Sequence, residues 1–476
     1  MIKYLILLLI FPLFSFGQNA FPFAQGYGKN ATGGRGGSVY HVINKNNSGA
    51  GSLRQGVEVE TGARTIVFDV SGYIDITTPI KIRASYDNIT IAGETSPDGI
   101  VIRGAGMYIE ANNVIIRHIK VSPGEDAYSA SALPPTDPDY EPEDAIKISA
   151  GIGNSITNII LDHVTANWSA DGIVDIGAPN SDLTTTATNI TVSNCFFYEN
   201  VGKNYGTLVQ QAYNVTWFRN INAFTDSRNI AVQSAEGKGI QMVNNYIYGA
   251  AKRAWEVKGN QTDFIGNVFE SGLRTRYSLE TFRLENGAIS YDIALTKVYL
   301  NDNVDDGVDA DTSIQPIYSQ YLVGTPNYST SLPIIASSAI KASLIDNVGA
   351  TLTYDASDIR VMNHIKNGTG DLLADEANIG GYPTRGTTVG YTDADGDDMS
   401  DAVEIVLFGG TGVTNLPNSL TDTTWVAEAD GSSINSYTNI EKTHFYLAGD
   451  LVASFAGVVG TLISNPRTTN SALINN

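Results

Sequence analysis

The chain has 476 residues, a single cysteine and a formal net charge of −21 at pH 7. A charge this negative repels nucleic acid and anionic membranes, so we expect neither as a partner, and binding to an acidic polysaccharide would need bridging cations. The single cysteine, Cys195, excludes an internal disulfide. It lies in the strand-like run NITVSNCFFY, which favours a small core residue over a reactive thiol.

Residues 1–17 carry Lys3 near their start, continue with an apolar stretch and end at Gly17. This pattern predicts a secretory signal peptide and a mature chain that starts at Gln18; the alternative is an anchored N-terminal helix. No other stretch of the sequence is long and apolar enough to span a bilayer. We therefore expect a secreted protein, located extracellularly, in a periplasm or at a cell surface.

The segment GAGSLRQGV (49–57) follows, and it predicts a turn and a short helix with Ser52 as N-cap. Such a helix would close one end of a repeating structure. The Pro- and Asp-rich stretch at 122–144 and the acidic stretch at 301–313 predict surface loops.

Short β-branched runs recur along residues 88–270, each opened by a polar residue or glycine. The openings fall at Asn88, Asn113, Asn158, Asn189, Asn214, Gly239 and Gln261. Most intervals are 22–25 residues, which favours an all-β solenoid, a stacked parallel β-helix, over a sandwich. Asparagines also recur late in several runs, and we expect them to stack along the solenoid axis: Asn194, Asn220, Asn245 and Asn267.

The segment DADGDDMSDAVE (393–404) has the oxygen spacing of an EF-hand calcium loop, although Asp398 stands where glycine is usual. Its candidate calcium ligands are Asp393, Asp395, Asp397, Asp401 and Glu404. The alternative is a solvated acidic linker. We accordingly divide the mature chain into a β-helix domain at 18–385 and a C-terminal region at 386–476.

Three aspartates crowd into LDHVTANWSADGIVDI (161–176): Asp162, Asp171 and Asp175. Carboxylates this close repel one another unless a cation or a proton lies between them. Calcium takes six to eight oxygen ligands, so three carboxylates would leave room for substrate and water. A metal site, an acid–base pair and exposed strand ends all remain possible from the pattern itself.

About residues 20–445 resemble the family 1 polysaccharide lyases, the pectate lyases, most closely the secreted bacterial branch with a calcium-loop tail. The resemblance is carried, in order, by FPFAQGYGKNATGGRGGSVYHV, GAGSLRQGV, RTIVFDVSGYI, ITIAGETSPDGI, VIIRHIKVSPGE, IILDHVTANWS, DGIVDI, DSRN, VNNYIYG, DASDIRVMNHIKNGTG, GGYP and DADGDDMSDAVE. It implies a right-handed parallel β-helix with an N-terminal cap. It also implies calcium as cofactor and a polygalacturonate-like acidic polysaccharide as substrate.

The resemblance assigns roles to individual residues. It implies that Asp162, Asp171 and Asp175 bind calcium and that Arg228, eight residues after Asn220, is the base of a β-elimination. The alternative for Arg228 is a carboxylate anchor. Lys203 would bind substrate, or it is an ordinary loop lysine.

The chain departs from the family pattern at two positions near this arginine. Ile230 stands in place of the usual proline, and Gln233 stands in place of a second substrate-binding arginine. These changes put the affinity for substrate and the identity of the polymer in question.

Other functions remain to be weighed. A pectin-backbone glycoside hydrolase is disfavoured, because its G-H-G motif is missing from the sequence. A lyase for another uronate polymer and a catalytically silent, polyuronate-binding β-helix both stay open. A capped solenoid closes its own core, so we expect a monomer.

Overall fold

The computed structural model describes residues 18–125, 143–178, 184–233, 239–250, 255–274, 282–284, 293–312, 316–329, 331–388, 437, 439–448, 450–454 and 459–462. The predicted signal peptide at 1–17 and the predicted calcium loop at 393–404 lie outside these ranges, so both stay predictions. None of the helices in the described ranges combines the length and the apolar character needed to cross a membrane.

The chain winds through three long sheets in which successive coils pair in parallel. The first sheet contains β1 (Ser38–Val42), β2 (Arg64–Phe68), β5 (Ile89–Ala92), β8 (Val114–Arg117), β11 (Ile156–Asp162), β14 (Ala187–Ser193), β17 (Ala212–Phe218), β20 (Ile240–Val243), β23 (Gln261–Ile265) and β26 (Lys297–Asn301). The second contains β4 (Ile80–Arg83), β7 (Met107–Glu110), β10 (Ile146–Ser149), β13 (Val174–Gly177), β16 (Thr207–Gln210), β19 (Ala231–Gln233), β22 (Trp255–Lys258) and β25 (Phe282–Leu284). The third contains β3 (Gly72–Asp75), β6 (Ile100–Arg103), β9 (Lys120–Ser122), β12 (Thr165–Asn167), β15 (Phe196–Tyr198), β18 (Ile221–Ala223), β21 (Tyr246–Tyr248), β24 (Val268–Glu270), β27 (Val304–Asp305) and β28 (Val308–Asp309). This is a right-handed parallel β-helix, as expected.

The predicted repeat register is confirmed in the first sheet. Six of the seven opening residues immediately precede an apolar core position, and those positions pair from coil to coil: Ile89, Val114, Ile159, Ile190, Val215 and Ile240. The seventh, Gln261, precedes the buried Thr262. The opening asparagines adopt a left-handed backbone, with φ of 61° at Asn88 and 54° at Asn113, which asparagine tolerates better than most residues. Their amides also bond between coils, for example Asn113 Nδ2 to Asn88 Oδ1 at 2.9 Å.

A second, buried stack of asparagines lies between the first and third sheets. It comprises Asn220, Asn245, Asn267 and Asn303, each accepting a backbone N–H from the coil before it. Asn194 was expected in this stack, but the structure places its amide on Asp162 Oδ1 instead. The buried Cys195 holds the corresponding position in its coil, so the prediction of a core cysteine is confirmed.

Helices close the ends and cover one flank of the solenoid. In α1 (Leu53–Glu58), Ser52 accepts the backbone N–H of Gln55, which confirms the predicted N-cap. The helices α2 (Ser337–Leu344) and α3 (Ala356–Asn367) pack apolar side chains on the outer face of the third sheet. The sequence analysis did not predict this helical layer.

Residues near the C-terminus pack on the N-terminal part of the chain. Helix α4 (Asn439–Leu447) is joined to the N-terminal arm by an ion pair of 2.6 Å between Glu441 and Arg35. A short antiparallel pair, β29 (Leu451–Ser454) with β30 (Val459–Leu462), follows. The acidic stretch at 301–313 was predicted as a loop, but its two short strands β27 and β28 form an antiparallel pair that extends the third sheet.

We predict that Asn245→Ala destabilises the protein by roughly 3 kcal/mol, because it leaves buried groups without partners. The Asn245 amide accepts the Asn220 N–H at 2.9 Å and donates to the Trp217 carbonyl at 3.0 Å. Chemical denaturation would measure the change. Asn363→Ala, at an exposed position of α3, is the control and should change the free energy of unfolding by less than about 0.5 kcal/mol. Equal effects of the two substitutions would contradict a stabilising role for the stack.

Candidate active site

Connections from the third sheet to the second carry the candidate residues, one connection per coil. Asp144 lies two residues before the start of β10, and Asp171 lies three residues before the start of β13. Lys203 and Tyr205 precede β16, and Arg228 precedes β19. Because successive coils stack in register, these connections form one edge of the second sheet.

Three carboxylates meet at this edge: Asp144, Asp171 and Asp175. Asp144 Oδ1 accepts the Gly172 N–H at 2.8 Å, and Asp175 Oδ1 accepts the Leu208 N–H at 2.9 Å. Both oxygens lie 2.7 Å from the point that a Cβ atom would occupy on Gly172. Gly172 therefore lets two carboxylates from neighbouring coils approach the same point, where any side chain would separate them.

Burial and mutual repulsion act on these carboxylates. Burial raises the pKa of Asp144 well above its usual range, and the charges of Asp175 and Asp171 raise it further. Burial also raises the pKa of Asp175 to about 6; the Leu208 N–H opposes this rise and Asp171 adds to it. Burial and mutual repulsion disfavour the ionised form of such carboxylates, and a bound cation would stabilise that form.

The carboxylates are not arranged as a preformed metal site. In the part of the chain that the structure describes, no three acidic, histidine or cysteine side chains are grouped closely enough to hold a metal ion as they stand. Asp171 Oδ1 is buried and accepts no hydrogen bond from the described residues. Its neighbour is Lys203 Nζ, 3.3 Å away. A buried carboxylate oxygen that accepts no hydrogen bond from the described residues, with two further carboxylates beside it, suits a hard cation that keeps open positions for other ligands.

Cationic side chains surround this cluster. Lys147 Nζ lies 3.9 Å from Asp144 Oδ2, and Lys203 is half exposed beside Asp171. The guanidinium carbon of Arg228 lies 4.0 Å from the centroid of the Tyr205 ring. Face-on contact with an aromatic ring orients a guanidinium while leaving its N–H edge available.

Arg228 lies within electrostatic range of the carboxylates, and its charge lowers the pKa of Asp175. Its backbone is left-handed, with φ of 55°, which is uncommon for a residue with a long side chain. The structure therefore brings Arg228, Lys203, Asp171 and Asp175 together, while the roles that the sequence analysis gave them stay predictions.

The buried amide of Asn200 ties the connections together. Asn200 Nδ2 donates to Ser169 Oγ, to the Asp171 carbonyl and to the Tyr205 carbonyl, while Oδ1 accepts the Gly202 N–H at 3.0 Å. The side chain thereby links the segment that carries Asp171 to the segment that carries Lys203 and Tyr205. Asn200 positions these residues and does not itself reach the groove, because it is fully buried.

Asp162, the third predicted calcium ligand, lies elsewhere. It ends β11 in the first sheet, where Arg117 Nη2 donates to its Oδ2 at 3.1 Å and Ser193 Oγ donates to its Oδ1 at 2.8 Å. Burial opposes its ionisation, but His163 and Arg117 hold the pKa of the Asp162 carboxyl well below its usual range. This carboxylate is saturated by protein groups, so the structure does not place Asp162 with Asp171 and Asp175.

Asp144 takes the place that the sequence analysis gave to Asp162. It was missed because the stretch 122–144 was assigned to a loop as a whole. A signal was present in the sequence, since Asp144 directly precedes the alternating run AIKIS, which pairs in register with VDIG of β13. Tyr205 and Asn200 have no comparable signal, because their contacts join different coils.

A groove of about 290 Å³ opens beside the cluster on the outer face of the second sheet. Its lining includes Lys147, Ser149, Asp175, Leu208 and Gln210. The groove is open along one side, so a chain-like ligand could run through it past Asp175.

Glu94, which is buried near Arg117 and Asp162, predicts that the stability of the protein depends on pH. Glu94 is buried near Arg117, and burial, opposed by Arg117, raises its pKa to about 7. A raised carboxyl pKa means that the folded state binds the extra proton, so Glu94 lowers stability as pH rises from about 4.5 to about 7. Glutamine cannot ionise, so Glu94→Gln should gain on the order of 3 kcal/mol relative to wild type over that interval. Denaturation of both proteins at pH 5 and pH 8 tests this, and a stability difference that is independent of pH would contradict it.

Comparison with known proteins agrees with this geometry. No family model matches the chain. Two curated relatives named "Probable pectate lyase C" match it at 31% identity: that of Emericella nidulans over 398 residues and that of Aspergillus oryzae over 412. Each match covers 82% of this chain, and 86% and 87% of the respective relatives.

Solved structures show the same fold. A Bacillus subtilis pectate lyase variant superposes with a TM-score of 0.51 at 18% identity, covering 71% of this chain and 99% of that one. A pectate lyase bound to a hexasaccharide superposes with a TM-score of 0.50 over the same shares. The β-helix, the carboxylates beside an arginine and the identity over most of the chain lead to one conclusion: this protein belongs to the pectate lyase family, a family of polysaccharide lyases.

Proposed function

We propose that this protein is a secreted, calcium-dependent lyase that cleaves polygalacturonate by β-elimination. The observation that carries the proposal is the meeting of Asp144, Asp171 and Asp175 beside Arg228 on the edge of an open groove. This arrangement offers oxygen ligands for a hard cation on one side and a nitrogen group for proton transfer on the other.

Asp144, Asp171 and Asp175 would hold the calcium ion. Held there beside a uronate carboxylate of the substrate, the ion would supply the positive charge that makes the neighbouring C5 proton more acidic. The net charge of −21 is then compatible with an anionic substrate, because the protein recruits a cation that in turn recruits the polymer.

Arg228 would accept the C5 proton. The electron pair of the C5–H bond forms the C4–C5 double bond, the C4–O bond breaks, and the leaving oxygen takes a proton from water to become a hydroxyl. Arginine is charged at neutral pH, so this role needs alkaline conditions, and we expect the rate to rise with pH. The Tyr205 ring holds the guanidinium in place, and Lys203 lies where it would contact a substrate carboxylate beyond Asp171.

The first prediction concerns proton transfer. Arg228→Ala should lower kcat on polygalacturonate by roughly 10² to 10⁴, the usual contribution of a general base. Ultraviolet absorbance of the unsaturated product measures the rate across alkaline pH, with and without calcium. Lys366→Ala, on the far side of α3, is the charge-matched control and should leave the rate unchanged.

Three other outcomes of this assay would change the proposal. Product from another uronate polymer, but none from polygalacturonate, would mean that the enzyme is a lyase for that polymer. Calcium-dependent binding without product from any polymer would make the protein a polyuronate-binding β-helix. Undiminished activity of Arg228→Ala would remove Arg228 as the base.

A second prediction separates Asp144 from Asp162. Asp144→Asn should weaken calcium affinity at least tenfold, measured by calorimetric titration or by the calcium-dependent shift in Tm, because one carboxylate ligand is lost. Asp162→Asn should lower stability, since it removes one of the two charged partners of the buried Arg117, and should leave calcium affinity at the groove unchanged. Equal loss of calcium affinity in both variants would restore Asp162 to the ligand set.

Two further parts of the proposal rest on sequence. Secretion rests on the leader-like residues 1–17, and a second calcium site rests on the EF-hand-like spacing at 393–404. N-terminal sequencing of the exported protein would test the predicted secretion, which requires a mature chain that starts at Gln18. A variant lacking the acidic ligands of 393–404 should lose one bound calcium without losing lyase activity, because the groove is formed by other residues.

A further inference from the structure

An uncharged row of side chains lies beside the carboxylate cluster on the second sheet. Its members pair in register across four neighbouring strands: Ser149, Gly177, Gln210 and Gln233. They face outward, since the residues before them belong to the core: Ile148, Ile176, Val209 and Val232. With strands about 4.8 Å apart, this uncharged row is roughly 14 Å long.

The row has charged neighbours on two sides. Arg83 and Glu110 pair with each other on the strands that precede it. The parallel row two residues earlier on the same strands carries Lys147 and Asp175. Residues two apart in a strand are separated by roughly 6 to 7 Å, so the groove presents a charged row and an uncharged row side by side. Ser149, Gly177 and Gln210 line the groove together with Asp175.

The two glutamines of the row are held to each other and not to charges. Gln233 Nε2 donates to Gln210 Oε1 at 3.1 Å, and Gln210 Nε2 donates to the Ala178 carbonyl at 3.3 Å. Each amide nitrogen has two N–H groups, so each glutamine keeps one for a ligand. Neutral amide and hydroxyl groups suit hydroxyl and ester oxygens as partners. A free carboxylate placed here would lose hydration without gaining a charged partner from the row, which disfavours it.

We infer that this row binds an uncharged sugar residue, a methyl-esterified galacturonate, next to the free uronate at the carboxylate cluster. The inference rests on the proposed lyase function and adds to it a preference for a particular degree of methyl esterification of the polymer. The preferred polymer is then partially methyl-esterified pectin: the reacting residue keeps its free carboxylate, and its neighbour in the groove carries the ester. Fully de-esterified and fully esterified polymers each fail one of these two requirements.

The test compares kcat/KM on polygalacturonate and on pectins of low, intermediate and high esterification, at matched uronate content with calcium present. Wild type should be fastest at intermediate esterification. Gln233→Arg should raise the rate on polygalacturonate relative to intermediate pectin roughly tenfold, the effect of about one added charge-assisted hydrogen bond. Gln210→Lys adds a cation one strand away and should also raise the rate on polygalacturonate relative to pectin of intermediate esterification. It therefore serves as the second variant if Gln233→Arg fails to fold.

Asn363→Arg is the matched control, because it adds the same charge on the exposed face of α3 and should leave the order of preference unchanged. A wild-type enzyme that is fastest on polygalacturonate would overturn the inference and leave the lyase function standing. An equal shift of preference in Asn363→Arg would also overturn it, since net charge would then be the cause. No unsaturated product from any of the polymers would refute the lyase function itself, and the inference with it.

Discussion

Parallel hydrogen bonding between successive coils is the constraint on which the rest of this structure depends. Each strand has to place its core residue directly above that of the coil below, and the pairing of Ile89, Val114, Ile159, Ile190 and Val215 shows that it does. A slip of one residue would turn every apolar side chain outward. The two asparagine stacks hold this register at the turns, where backbone groups would otherwise be buried without partners.

The same constraint creates the site. Once the coils are in register, residues far apart in sequence become neighbours at the edge of one sheet, as Asp144, Asp171 and Arg228 do. The outer positions of the second sheet at the groove do not contribute to the core, so a charged row and an uncharged row can lie beside each other without disturbing it. A rigid solenoid holds both rows at fixed spacing, which is what recognition of a regular polymer requires.

The molecule uses carboxylates in two opposite ways. Asp162 is buried against Arg117 and accepts hydrogen bonds from Ser193 and Asn194, so its charge is compensated within the protein. Asp144 and Asp175 are crowded by each other and are compensated only in part, which is the basis on which we propose that they bind a cation. The first arrangement joins the solenoid to the segment near α4, where Asp450 shares the same arginine. The second arrangement, Asp144 with Asp175, lies beside the groove.

The sequence alone determined the β-helix, its coil register and the helix cap at Ser52, and it picked out Arg228 and Asp175 as candidates, because each depends on local periodicity or on a motif within one segment. It could not distinguish Asp144 from Asp162, since both precede or end apolar runs and only the path of the coil decides which sheet each one faces. It also could not reveal the helical layer over the third sheet or the adjacency of Gln210 and Gln233. The tertiary structure decided these, because they depend on which coils lie side by side, and stacking brings together residues that are more than twenty positions apart in the chain.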